Sequence, residues 1–257
     1  MPTAARTFST ASSHWYDPKT GKACHTVPYA DPSKGDRPTT LRDAKLRQLV
    51  PSVTTILASL RKPELESWLI ENAVLAALTT PRLDNEQLDA FVNRVLRVEQ
   101  HQEQEALKAR NLGTAIHAAL EAAVQAKPFD DSLRDYVLPV VEAVLKMGRV
   151  VATERVLFGE GYAGQTDCII EAGDVILWDF KTTKTIPKSS WKEHLLQLSA
   201  YAHAYGNTGN KRIMTGNIYI STTVKGEFRV CLNDDWEDAY EHGFKPLKEY
   251  WYWVNKL

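Results

Sequence analysis

The stretch "DVILWDFKTTK", residues 174–184, sets the acid Asp179 among Val175, Ile176, Leu177, Trp178 and Phe180 and leads straight into Lys181 and Lys184. In a strand, residues i and i+2 share a face. Asp179 and Lys181 therefore emerge side by side, while Trp178 and Phe180 point the other way. Two readings follow from this stretch alone. It is a strand end reaching solvent with an ordinary surface ion pair, or it is part of a site. The neighbouring sequence has to choose.

Upstream, "YAGQTDCIIE" reads as the preceding strand and carries Asp167. A two-residue turn would set Asp167 opposite Trp178. A three-residue turn at Ala172, Gly173 and Asp174, with Gly173 in the left-handed conformation, sets Asp167 opposite Asp179, Cys168 opposite Trp178 and Ile170 opposite Ile176. The second register gathers Cys168, Ile170, Ile176, Trp178 and Phe180 on one buried face and leaves both acids and Lys181 on the other. Opposed Cβ atoms lie roughly 4.5–5.5 Å apart. Two carboxylates at that distance repel unless a cation sits between them, and hard oxygen donors suit Mg²⁺ or Mn²⁺. Such an ion next to a lysine fits phosphodiester hydrolysis, with Lys181 holding or helping to deprotonate the attacking water.

Working outward, "VVATERVLF" completes three consecutive strands joined by glycine-containing turns. After them come a helix in "SWKEHLLQLSAYAHAYG", two strands in "RIMTGNIYIST" and "GEFRVCLN", and a closing aromatic helix. The first 148 residues read differently. "HWYDPKTGKACHTVPYA" suggests a small hairpin followed by polar loop. Ser52 caps a short helix, and Pro63 begins a longer one. The segment from Asp84 to Ala126 has helical period, read as two pieces, and a further helix over 130–147 stops at Gly148. Within this half, "GTAIHAALE" puts His117 and Glu121 four residues apart on one helical face. A lone helical histidine is more often packed or solvated than a ligand.

The 257-residue chain has a net charge of -1, which excludes a globally basic nucleic-acid binder and leaves local patches or metal ions to meet a polyanion. Two patches qualify. Lys34, Arg37, Arg42, Lys45 and Arg47 crowd one early segment, and Lys181, Lys184, Lys188 and Lys192 follow one another with no acid before Glu193. No run approaches the ~18 apolar residues of a membrane span. Cys24, Cys168 and Cys231 match no metal or disulfide spacing, and a reducing compartment is the simplest inference. The opening "MPTAARTFSTASSHWY" lacks a signal-peptide core and reads as an unstructured start.

Taken in order, "GTAIHAALE", Glu154, "GYAGQTD", "LWDFKTTK" and "QLSAY" resemble the PD-(D/E)XK nuclease superfamily, in its RecB-like branch. "VPSVTTILASLRKPELESWLIENA" is similar to the N-terminal portion of the mitochondrial genome maintenance exonuclease and related phage or bacterial exonucleases. The resemblance implies that His117, Asp167, Asp179 and the Phe180 carbonyl are metal ligands and Lys181 the catalytic lysine. Gln197 and Tyr201 would line the site, with Glu121 and Glu154 as further members. Thr166-Asp167 stands where the family has Pro-Asp, and four cluster-binding cysteines are missing, so no iron-sulfur cluster is expected.

The fold implied is an α/β restriction-endonuclease-like core, a mixed sheet flanked by helices, with a helical N-terminal region. Three parts are expected: a hairpin and basic loop over 1–48, a helical region covering the site over 49–109, and the nuclease core over 110–257. The activity implied is a Mg²⁺- or Mn²⁺-dependent DNA exonuclease acting on single strands or DNA ends in replication, repair or recombination. The alternatives are a structure-specific endonuclease and a non-catalytic DNA-end-binding recombination accessory protein. Lys184, Lys188, Lys192, Arg42, Lys45 and Arg47 would contact DNA. The expected place is the cytoplasm of a bacterial or phage-infected cell, with the mitochondrion as the alternative.

Overall fold

The structure, a computed structural model, describes residues 14–60, 63–206, 208–209, 211–233 and 235–257, without the side chains at 32, 63–66, 68–69 and 96–110. The stretch read as an unstructured start lies, up to residue 13, outside them.

The N-terminal part has two small sheets and a short helix. Strand β1 (Trp15–Asp17) pairs antiparallel with β2 (Lys22–Ala23), and β3 (Thr26–Pro28) pairs with β4 (Asp36–Pro38). The expected basic loop is in fact the helix α1 (Leu41–Arg47). A capping box makes it: the Thr40 side chain accepts the Asp43 N–H, and the Asp43 carboxylate accepts the Thr40 N–H. Arg37 locks Asp43 from outside at 2.6 Å. Arg42, Lys45 and Arg47 are therefore exposed positions on a helix, not on a loop.

Strand β5 (Val50–Pro51) returns to β1, and Ser52 bridges to Ala163 before capping α2 (Val53–Leu57) through the Thr55 N–H. Helix α3 (Pro63–Thr79) starts at its proline. Helix α4 (Leu88–Val124) is one continuous element rather than two, because no proline interrupts it and its one glycine lies where close packing demands it. A Cβ at Gly113 would come 2.5 Å from Thr182 Oγ1. The helix thus runs through residue 109, where the sequence suggests a boundary. Helix α5 (Arg134–Met147) ends at Gly148. Among the described residues, no helix is long and apolar enough to cross a membrane.

The main sheet has five strands. Strands β6 (Arg149–Gly159), β7 (Tyr162–Ala172) and β8 (Asp174–Thr183) form an antiparallel meander. Helix α6 (Lys192–Tyr205) then crosses over so that β9 (Ile213–Ser221) lies parallel to β8, and β10 (Phe228–Asn233) closes the edge. The order is β10-β9-β8-β7-β6. Gly173 sits at φ 88°, and Cys168 pairs with Trp178 and Ile170 with Ile176, the three-residue-turn register.

That register sorts the two faces. Cys168, Ile170, Trp178 and Phe180 pack under α4 and α5, against Ile116, Leu120, Val137 and Val144. Ile169, Val175 and Leu177 pack under α6 and α2, against Leu198, Tyr201, Val53 and Ile56. The architecture is a mixed sheet with helices on both faces. The C-terminal helix is interrupted: α7 (Trp236–Ala239) passes through a π turn (Tyr240–Phe244) into α8 (Lys245–Asn255). Pro246 cannot donate to the preceding turn, which accounts for the widening there.

Candidate active site

Strands β7 and β8 stop exchanging backbone bonds beyond Cys168 and Trp178. Asp167 and Asp179 do not form the next ladder pair. Instead the Asp167 side chain enters the gap, and its Oδ2 accepts the Phe180 N–H at 2.5 Å. On the residue before it, the Thr166 hydroxyl donates to the Trp178 carbonyl at 3.0 Å. Side chains replace the ladder, and the strands open where the two acids stand.

Asp179 is 2% exposed and fully occupied. Lys181 Nζ lies 2.8 Å from its Oδ1 and 2.7 Å from its Oδ2. Gln197 from α6 donates to Oδ1 and Asn217 from β9 to Oδ2, each at 3.0 Å. Two carboxylate oxygens offer about four lone-pair positions, and all are used. The i, i+2 spacing in β8 brings the lysine, the α6 helix brings the glutamine, and the parallel register that sets Asn217 beside Asp179 brings the amide.

Asp167 has no such compensation. Burial and the adjacent Asp179 charge push its carboxyl well above the usual carboxylate range, against the opposing pull of Lys181 and the Phe180 N–H. Its side chain keeps 16% exposure, so solvent reaches it. His117 on α4 faces it, with Nδ1 3.8 Å from Asp167 Oδ2 and its ring edge-on to Phe180. Burial lowers the His117 pKa, which favours the neutral imidazole.

Glu154 and Glu121 form the outer wall. Glu154 has φ 47° in the strand that carries a bulge between Val150 and Ala152, an uncommon conformation for a residue with a Cβ. Its carboxylate accepts Gln165 at 2.6 Å. Burial, then Glu121, then Asp179 raise its pKa. Gln125 spans Glu121 and Thr153, tying α4 to β6. The Tyr201 hydroxyl oxygen accepts from the Gln197 amide at 2.8 Å. Burial and Asp179 hold its phenol far up.

The structure thus brings His117, Glu121, Glu154, Asp167, Asp179, Phe180, Lys181, Gln197 and Tyr201 together where β7 and β8 part, beside the middle of β6. Lys184, Lys188 and Lys192 stand exposed on the segment from β8 into α6. Among the described residues, no hydrogen bond or ion pair joins Arg42, Lys45 or Arg47 to the acids. Asn217, Gln165 and Gln125 escape a reading of the sequence. For Asn217 one signal exists, a polar residue inside the apolar run "IMTGNIYI".

Gly164 on β7 shapes the floor, since a Cβ there would clash with the Cε1 edge of the Tyr201 ring. Gly164→Ala is expected to cost about 1–3 kcal/mol of stability. It should also displace Tyr201 from Gln197. Denaturant unfolding of the variant measures the cost, and a change below a few tenths of a kcal/mol would mean that Tyr201 moves freely.

Among the described residues, no three of His, Cys, Asp and Glu converge closely enough to hold a metal ion as they stand. The Lys181 ammonium rests on both Asp179 oxygens. No family model and no curated protein matches the chain. A crystal structure of SSO0001 aligns with it at 22% identity and a TM-score of 0.31, over 44% of this chain and 55% of that one.

Proposed function

We propose that this protein is a metal-dependent deoxyribonuclease on a restriction-endonuclease-like core, acting as an exonuclease on single strands or DNA ends. The observation that carries the reading is the opened β7–β8 ladder, which holds a poorly compensated Asp167 beside Asp179 and Lys181. A structural ion pair accounts for Asp179 and Lys181. It does not account for a second, half-buried acid whose ionised form the fold disfavours.

The donor set fits a hard divalent cation. Asp167, Asp179, the Phe180 carbonyl and neutral His117 would hold it, once Lys181 Nζ leaves the Asp179 oxygens. When bound, Mg²⁺ or Mn²⁺ would neutralise charge on the phosphate and lower the pKa of a water. Lys181, released from Asp179, would then be free to orient that water as an ammonium, or to take its proton once it has itself lost one and stands as a neutral amine. Gln197 and Asn217 keep Asp179 in place as Lys181 moves. Tyr201, a neutral phenol, holds Gln197.

The test is incubation with end-labelled linear single strands, linear duplex and circular DNA, with Mg²⁺, with Mn²⁺ and with chelator. Metal-dependent release of nucleotides from linear DNA supports the reading. Cutting of circles would make it an endonuclease, and binding without cleavage would make it an accessory protein.

The exposed lysines after β8 give a separate prediction. Removing one lysine that neutralises a phosphate lowers the salt slope of single-strand binding by about 0.7. The double variant Lys184→Ala/Lys188→Ala is expected to weaken binding to all sequences alike and to lower the slope by about 1.4. Affinity for a labelled oligonucleotide in Ca²⁺ across a salt series checks it, and an unchanged slope removes these lysines from the DNA path.

A further inference from the structure

An aromatic cluster next to the acids has no role in the chemistry above. Lys181 lies opposite Tyr219 in the β8–β9 register, and Tyr219 lies opposite Arg229 across β9 and β10. Opposed residues share a face, so Lys181, Tyr219 and Arg229 form a row across three strands on the side that carries Asp179. Tyr219 is buried. Its hydroxyl accepts the Trp191 N–H at 3.0 Å and lies 2.9 Å from His194 Nδ1.

Trp191, the residue before α6, packs its ring 5.6 Å from the Tyr219 ring and 5.1 Å from the His194 ring. It nevertheless remains 44% exposed. Arg229 donates to the Lys188 carbonyl at 3.4 Å and so fastens the loop leading to Trp191. An indole braced at inclined angles by two rings, 44% exposed, and flanked in the chain by exposed Lys188 and Lys192 combines aromatic surface with positive charge. Unpaired bases bind to such surfaces, because every base has a π-face and every linkage a phosphate.

We infer that Trp191 is a stacking platform for an unpaired nucleobase of single-stranded DNA, held beside the phosphate that Lys181 addresses. The inference rests on the nuclease reading for the position of that phosphate. Intact duplex keeps its bases stacked inside and offers Trp191 no face.

Binding of a labelled single strand is measured in Ca²⁺ over a salt series for wild type, Trp191→Ala and Trp191→Phe. The same strand with its bases removed and a closed circular duplex serve as comparisons. Trp191→Ala is expected to lose about 5- to 100-fold in affinity for the single strand with an unchanged salt slope. Trp191→Phe should keep most of the affinity, which also controls for folding. The abasic strand should bind wild type and Trp191→Ala equally, and the circular duplex should bind all three alike. Unchanged affinity in Trp191→Ala, or an equal loss on the circular duplex, overturns the inference. Wild-type cleavage with Mg²⁺, assayed in parallel, separates the two claims. Cleavage without a Trp191 effect sinks the platform alone, a Trp191 effect without cleavage sinks the nuclease reading alone, and no DNA binding at all sinks both.

Discussion

Asp179→Asn and Lys181→Ala are each expected to slow phosphodiester cleavage by about 10²–10⁴-fold, by different routes. The first replaces a charged ligand with a neutral amide. The second leaves every proposed ligand in place and removes the group that handles the water. The geometry adds a distinction that rates alone would miss. Lys181 Nζ rests on both Asp179 oxygens, at 2.8 and 2.7 Å, and so competes for the ligand. Lys181→Ala should therefore bind Mn²⁺ at least as tightly as wild type in a calorimetric titration, while Asp179→Asn binds it weakly. Equal weakening in both variants would contradict the assigned roles. Stability should separate them too. Asp179→Asn leaves the Lys181, Gln197 and Asn217 donors facing an amide, on the order of 3 kcal/mol. Lys181→Ala is expected to cost more, because it leaves the Asp179 carboxylate, 2% exposed, with only neutral donors, whereas the partly exposed Lys181 ammonium can turn to water in Asp179→Asn.

How much of this is legible in the sequence depends on the range of the interaction. The β7–β8 register follows from alternation and from Gly173, both local, and it correctly separates Cys168 and Trp178 from the face of Asp179 and Lys181. Helix α1 is hidden by its polar composition, although Thr40 and Asp43 at capping-box spacing mark its start. The weak periodicity of α4 suggests two pieces, where the absence of proline is the better guide. Asn217 cannot be assigned locally, because its place beside Asp179 depends on the parallel alignment of strands 38 residues apart in the chain. The opening of the ladder is equally unreadable. It depends on one side chain, Asp167, taking a backbone N–H that pattern alone assigns to the neighbouring strand.

That side chain gives the second large effect. The Asp167 carboxyl has a folded pKa raised above its unfolded value near ~3.9, because burial and Asp179 disfavour the charge. A raised carboxyl pKa means the unfolded chain gives up its proton first. The penalty is absent below the unfolded pKa, grows as pH rises, and is complete above the folded pKa. Asp167→Asn removes the charge, and its amide oxygen can still accept the Phe180 N–H. In chelator at pH 8 the variant is expected to be more stable than wild type by on the order of 1–3 kcal/mol, or about 2–4 °C in Tm for each kcal/mol. Near pH 4 the difference should vanish. His117 also loses stability to acid, since its folded pKa is lowered chiefly by burial, a cause that Asp167→Asn leaves in place. Divalent metal should reverse the order, because a cation compensates the ionised carboxylate that the fold alone tolerates poorly. Mn²⁺ is expected to raise the Tm of wild type and leave Asp167→Asn nearly unmoved, and cleavage by the variant should be lost. Thermal unfolding across pH 4–8, with chelator and with Mn²⁺, measures all of this. A variant less stable than wild type at pH 8 in chelator would mean that Asp167 is well paired and structural, and an equal Mn²⁺ shift in both proteins would place the metal elsewhere.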